Sequence, residues 1–296
     1  MDLSAHLKAR AATIEAALDR YLPAADAPPA QLHQAMRYSM EAGGKRLRPA
    51  LVLDACAAVG GNDQAVLPTA CALECIHTYS LIHDDLPCMD DDDLRRGRPS
   101  CHRQFDEATA LLAGDALLTL AFYLTATNAA EPGIGAERAA RATAVLAEAA
   151  GAPGMVGGQM LDLMSEGHQP TAELVETIHL KKTTALLTAA VVCGAILGGG
   201  SEAQIAAFER YGRGLGLAFQ IVDDILDIVG DEAALGKPVG SDQGHDKATW
   251  PALFGIEASR AKAHELIEDA LAALADFGDE AEPLRVLARF TEERDR

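Results

Sequence analysis

FQIVDDILDIVGD, residues 219–231, places acid on one side of an apolar stretch with helical spacing. Asp223 and Asp227 stand four apart, so a helix carries both carboxylates on one face, with Gln220 one turn earlier on that face. Ile225, Leu226 and Ile228 read as the buried remainder. Two like charges in such a setting repel, and unpaired they would cost several kcal/mol, roughly, unless a cation neutralises them. Working outward, Ser201-x-x-Gln204 is a capping box opening a helix that continues to Gly230, on the order of 40 Å long at about 1.5 Å per residue. A second helix is predicted from about Thr171 through His179, Lys182 and Thr183 to Gly198. Upstream, Pro28-Pro29, Gly43-Gly44, Pro49 and Gly60-Gly61 punctuate further helices, one of them carrying Met36 and Met40. Helical periodicity recurs almost everywhere and alternating β-branched runs are missing. The expectation is an all-α, antiparallel helix bundle around a deep central cavity. No Pro/Ser linker or repeat divides the chain, so 1–296 reads as one domain.

Composition narrows the chemistry. With 49% hydrophobic and 23% charged residues, the 296-residue chain can bury a large core. Its formal net charge of -19 speaks against nucleic acid or an anionic membrane as a general partner, so any anionic ligand must be held locally. The cysteines at 56, 71, 75, 88, 101 and 193 form no CxxC pair, which argues against a disulfide frame or a zinc site and for a reducing compartment. MDLSAHLKAR lacks an apolar h-region, so no signal peptide is read and a cytoplasmic location is expected. The uncharged run from Thr183 to Ser201 is rich in Ala, Thr and Gly and reads as a core helix rather than a membrane span.

A second acidic stretch, DDLPCMDDDDLRRGRP at 84–99, reverses sign within itself. Ile76, Ser80 and Asp84 fall on one side of a helix that Pro87 ends, and the break lets Asp90 bend back beside Asp84. These two read as co-ligands of a hard cation; magnesium takes one or two carboxylates together with phosphate oxygens and water. Arg95 and Arg96 could then grip outer phosphate oxygens. GGKRLRP at 43–49 supplies a second basic set, Lys45, Arg46 and Arg48, and is not a Walker A loop. Two anion sites, only one rich in carboxylates, imply two phosphorylated substrates.

GGKRLRP, HDDLPCMDDDDLRRGRP, KKT, FQIVDDILD and GKP, in this order between residues 43 and 238, resemble the short-chain trans-isoprenyl diphosphate synthases, closest to the bacterial farnesyl diphosphate synthases. The resemblance implies the isoprenoid synthase fold, a homodimer and three Mg²⁺ ions. It implies Asp84, Asp90 and Asp223 as principal metal ligands, with Asp85 and Asp227 as supports. Arg95, Lys182 and Lys237 would hold an allylic diphosphate; Lys45, Arg48, His77 and Arg96 would hold isopentenyl diphosphate. Thr183 and Gln220 would lie near the developing carbocation, and Arg294 and Arg296 would belong to a closing C-terminus. The implied reaction is head-to-tail condensation of isopentenyl diphosphate with dimethylallyl or geranyl diphosphate.

Ser80 sits one turn behind Asp84, with Tyr79 beside it, below the metal site where a growing hydrocarbon tail would point. The Tyr79 ring is expected to act as a floor, and with the longer first motif it resembles a C15 stop. A geranyl diphosphate synthase, a terpene cyclase and a non-catalytic regulatory subunit of a prenyl synthase are the rival readings. GRGLG at 212–216 has no preceding strand, and HELIE at 264–268 lacks the final histidine of a zinc helix.

Overall fold

The computed structural model describes residues 1–165, 167, 171–229 and 249–293. In chain order the helices are α1 (Leu3–Tyr21), α2 (Ala30–Met40), α3 (Leu47–Ala58), α4 (Leu67–Asp84), α5 (Cys101–Gln104), α6 (Glu107–Thr127), α7 (Gly135–Ala150), α8 (Met155–Ser165), α9 (Ala172–Ile178), α10 (Ala185–Gly198), α11 (Glu202–Val229), α12 (Trp250–Phe254), α13 (Ile256–Ala273) and α14 (Glu282–Glu293). The described residues are almost wholly helical, as the expected all-α class requires. The one pair of strands among the described residues, β1 (Leu94–Arg95) and β2 (Arg98–Pro99), forms a minimal antiparallel hairpin. Arg96 and Gly97 at its tip have φ of 54° and 73°, the left-handed pair that a two-residue hairpin requires.

Burial explains the arrangement. Every residue from Leu67 to Ile76 is buried, so α4 has no wet face there, and α10 is buried from Ala189 through Leu197. Helices apolar all round belong inside. Accordingly α4 packs against α6 and α3, while α10 lies among α3, α7 and α11; α13 and α14 cover the far side of α11. The stretches 63–84, 107–130 and 172–198 are long and apolar enough to cross a membrane by length and composition alone, yet in the most apolar part of the first and third most residues, 83% and 67%, are buried within the protein. The Thr183–Ser201 run therefore sits in the core.

The predicted capping box is present: Ser201 N–H donates to Gln204 Oε1 at 2.9 Å, and Gln204 N–H donates to Ser201 Oγ at 3.3 Å. From it α11 continues for 28 residues, about 42 Å. The helix predicted over 171–198 differs from expectation. Between α9 and α10, His179–Thr184 forms a π-helical turn, in which Ala185 N–H reaches back to Leu180 C=O. A 3.6-residue pattern cannot register one extra residue in a turn, because the side chains on either side keep helical spacing.

This turn is gripped between two glycines. A β-carbon at Gly158 of α8 would overlap the backbone of Lys182, and one at Gly216 of α11 would lie 2.8 Å from Thr184 Cγ2. Both neighbours approach more closely than any larger residue allows. Gly216→Val is expected to cost about 1–3 kcal/mol through overpacking, read by chemical denaturation; stability equal to the parent's would show that the turn moves aside freely.

Candidate active site

The Pro87 break does what its position predicts. Asp84 is the last residue of α4, the chain turns through Leu86 and Met89, and Asp90 N–H donates to Asp84 C=O at 2.8 Å. The two aspartates are thus brought side by side. Burial pushes the Asp84 carboxyl up to about 6; Lys182 and Arg95 oppose the rise, and the negative neighbours Asp90 and Asp85 add to it. An acid whose surroundings hold too little positive charge is one that a cation would discharge.

Asp85 behaves differently. It is 2% exposed and accepts from Arg95 Nε at 2.9 Å and from Arg95 Nη2, while Arg95 also donates to Asp92 at 3.0 Å. Burial raises the Asp85 pKa and Arg95 holds it back. Both partners of this pair are engaged with each other, so Asp85 ties the hairpin to the end of α4. Arg98, opposite Arg95 in the hairpin, lies over the Tyr38 ring at 4.3 Å, and Arg96 donates to Gly43 C=O. The hairpin is thereby fastened to α2 and to the GGKRLRP loop.

In that loop the three basic residues part company. Arg46 is 4% exposed and structural, donating to Glu74 Oε1 at 2.7 Å and to Met40 C=O at 2.6 Å. Lys45 is exposed. Arg48 reaches the cavity wall with its Nε buried and unpartnered, and burial lowers its pKa. His77 lies in the same wall, its pKa driven well below the usual value by burial and by Arg48, Arg96, Arg46 and Arg95. The imidazole is therefore neutral, and a protein of net charge -19 gathers four guanidinium groups around this one ring, Arg48 among them in the cavity wall.

The cavity itself has a volume of about 500 Å³, within the range of small-ligand sites. Asp84, Lys182 and Thr183 are in its wall with Arg48 and His77; Tyr79, Ser80, Met155 and Met160 supply part of its largely apolar lining. Tyr79 is 5% exposed, and burial, then Asp84, pushes its hydroxyl up to about 12. Ser80 Oγ donates to His77 C=O at 2.9 Å.

The π turn joins the two acidic motifs. Lys182 Nζ donates to Asp162 Oδ2 at 2.6 Å while influencing Asp84, and the Thr183 hydroxyl donates to Gln220 Oε1 at 2.7 Å. Gln220 Nε2 in turn donates to Asp224 Oδ1 at 3.0 Å. Asp223 is half-buried and Asp227 buried on the same helix. Lys237, Arg294 and Arg296 lie outside the described residues.

Three groups escaped the sequence reading. Asp162 gave only an isolated acid among Met and Leu of α8 as its signal. Gln159, one turn earlier, lines the cavity with its Oε1 buried and unpartnered. Asp224 was passed over for Asp223 and Asp227, yet it organises this side of the site: its Oδ2 accepts from Trp250 N–H at 2.9 Å and lies 3.3 Å from His179 Nε2. Oxygen donors from carboxylates suit a hard divalent cation. Among the described residues no three His, Cys, Asp or Glu side chains converge as a ready-made metal cage.

Comparison with known proteins identifies the family. The polyprenyl synthetase family model matches residues 29–285. The Arabidopsis thaliana heterodimeric geranylgeranyl pyrophosphate synthase large subunit 1, chloroplastic, is 46% identical over 98% of this chain and 78% of its own length. The Catharanthus roseus geranylgeranyl pyrophosphate synthase, chloroplastic, is 46% identical over 99% of this chain and 82% of its own. An FPP/GFPP synthase from Zymomonas mobilis superposes with a TM-score of 0.87 at 38% identity, covering 98% of this chain and 99% of that one. The plant relatives overturn the cytoplasmic expectation: both are chloroplastic proteins. Free cysteines speak for a reducing compartment without saying which one. Prenyl synthases generally depend on a divalent metal. The chain belongs to the polyprenyl synthetase family, among its short-chain trans-prenyl synthases, and is a prenyltransferase of isoprenoid biosynthesis.

Proposed function

We propose that this chain, acting as a single domain, condenses isopentenyl diphosphate with dimethylallyl or geranyl diphosphate and stops at farnesyl diphosphate. The observation that carries the C15 reading is Tyr79: a buried aromatic ring, five residues before Asp84, in the wall of the cavity that begins at that aspartate. A C20 product is the second reading, favoured by the names of the plant relatives.

Asp84, Asp90 and Asp223 would hold magnesium, with Asp227 in support; three ions follow the family resemblance. Bound there, the metal supplies Lewis-acid stabilisation of the departing diphosphate. The remaining steps belong to the chain's own residues. Lys182, seated on Asp162, presents a fixed ammonium to the allylic diphosphate. Arg95 and Lys237 are assigned to the same anion, Arg95 by way of the hairpin that Asp85 holds. Lys45, Arg48, His77 and Arg96 receive isopentenyl diphosphate, whose charge relieves the crowding of guanidinium groups around His77. The Thr183 proton is committed to Gln220, so lone pairs rather than a proton face a developing carbocation. His77, with its lowered pKa, is a poor base, and the released diphosphate is the better acceptor for the proton lost at the end. Apolar walls keep water from the cation.

The assembly we propose is a homodimer. On α6, an otherwise apolar helix, Leu112 and Tyr123 are 56% and 65% exposed, a surface that a second copy would cover.

Three measurements test these assignments. Asp84→Ala should lower Mg²⁺-dependent turnover by at least about 100-fold while circular dichroism stays helical; an unchanged rate would remove Asp84 from the metal site. Incubating the purified chain with isopentenyl diphosphate and either starter should give C15, and Tyr79→Ala should give longer chains; a C20 product from the parent would favour the second reading, and no turnover would favour a regulatory subunit. In sedimentation the parent should be dimeric and Tyr123→Glu monomeric, whereas a monomeric parent would end the homodimer assignment.

A further inference from the structure

His83 immediately precedes Asp84, and its ring is held on three sides. It stands edge-on to Tyr79, with centroids 5.7 Å apart and planes at 77°. Its Nε2 lies 3.0 Å from the backbone carbonyl of Leu111 on α6, a contact that assigns the proton to Nε2 as donor. On the same helix, a β-carbon at Gly114 would overlap the imidazole, so the absence of a side chain there is the notch into which the ring fits. Tyr79, His83 and Leu111 all line the 500 Å³ cavity. Gly114 is buried in the face of α6 that packs on α4.

We propose that His83 is a positioning residue for product length: it braces the Tyr79 ring against α6, and the depth of the floor is set by the stack Tyr79–His83–Gly114 instead of by Tyr79 alone. The proposal rests on the reading of Tyr79 as the stop. The physical reason is that a phenol ring on a single helix can swing about χ1 and χ2 unless something fills the space behind it. An edge-to-face aromatic contact combined with a hydrogen bond to a neighbouring helix removes that freedom. The notch at Gly114 lets the brace reach α6 without forcing the ring into the cavity.

The brace makes predictions in opposite directions. His83→Ala leaves Tyr79 unsupported and should raise the ratio of C20 and longer products to C15 by about tenfold, the low end of what one lost contact does to discrimination. Gly114→Ala evicts the imidazole from its notch toward the cavity and should shift product toward C10. Products are compared at equal conversion of isopentenyl diphosphate, with Tyr79→Ala run alongside. General damage near Asp84 would slow turnover and leave chain length alone, so length is the readout that separates positioning from structure. If Tyr79→Ala lengthens the product and His83→Ala does not, the brace is overturned and the Tyr79 stop stands. If Tyr79→Ala changes nothing, the stop and the brace fall together. Should Gly114→Ala fail to fold, the His83→Ala comparison decides the matter alone.

Discussion

The ammonium of Lys182 lies 2.6 Å from Asp162 and opposes the burial-driven rise in the Asp84 pKa, and the rest of the site is arranged around that position. A lysine placed between carboxylates from α8 and α4 must come from a backbone that reaches both. The π turn at 179–184 provides this, and Gly158 and Gly216 let α8 and α11 close on it from either side. One residue further, Thr183 meets Gln220 on the helix that carries Asp223 and Asp227. A small irregularity in one helix thus connects both acidic motifs, in keeping with the tendency of π turns to mark functional positions.

Charge is the second organising constraint. Like charges have been gathered in two places, carboxylates at the end of α4 and guanidinium groups near His77, each at a cost in desolvation and repulsion that the folded protein alone must bear. Two of these guanidinium groups are also paired, Arg46 with Glu74 and Arg95 with Asp85, and so secure the loop and hairpin that carry the clusters. Arg46 is held wholly within the protein, whereas Arg48 reaches the cavity wall. Neighbouring residues in the same motif likewise have different work: Asp85 holds a guanidinium while Asp84 remains short of positive charge.

Much of the fold was legible because buried helices announce themselves by spacing. The capping box at Ser201–Gln204, the length of α11 and the break at Pro87 all follow from local rules that need no partner. The carboxylates at 84, 90, 223 and 227 were conspicuous for the same reason, since charge in an apolar setting stands out. Asp162, Gln159 and Asp224 were not, because each is one polar residue on an amphipathic or acidic stretch and becomes distinctive only through what faces it.

Taken alone, the amino-acid order determined the helical class, the two acidic motifs, the basic stretches and hence the family chemistry, all of which depend on residues within a few turns of one another. Tertiary structure alone decided that 179–184 is a π turn, that Arg46 and Asp85 serve internal pairs, and that His83 stands between Tyr79 and a bare glycine on α6. Those outcomes turn on contacts that form only when the chain folds back on itself, where the spacing of side chains along one helix carries no information about the neighbour it will meet.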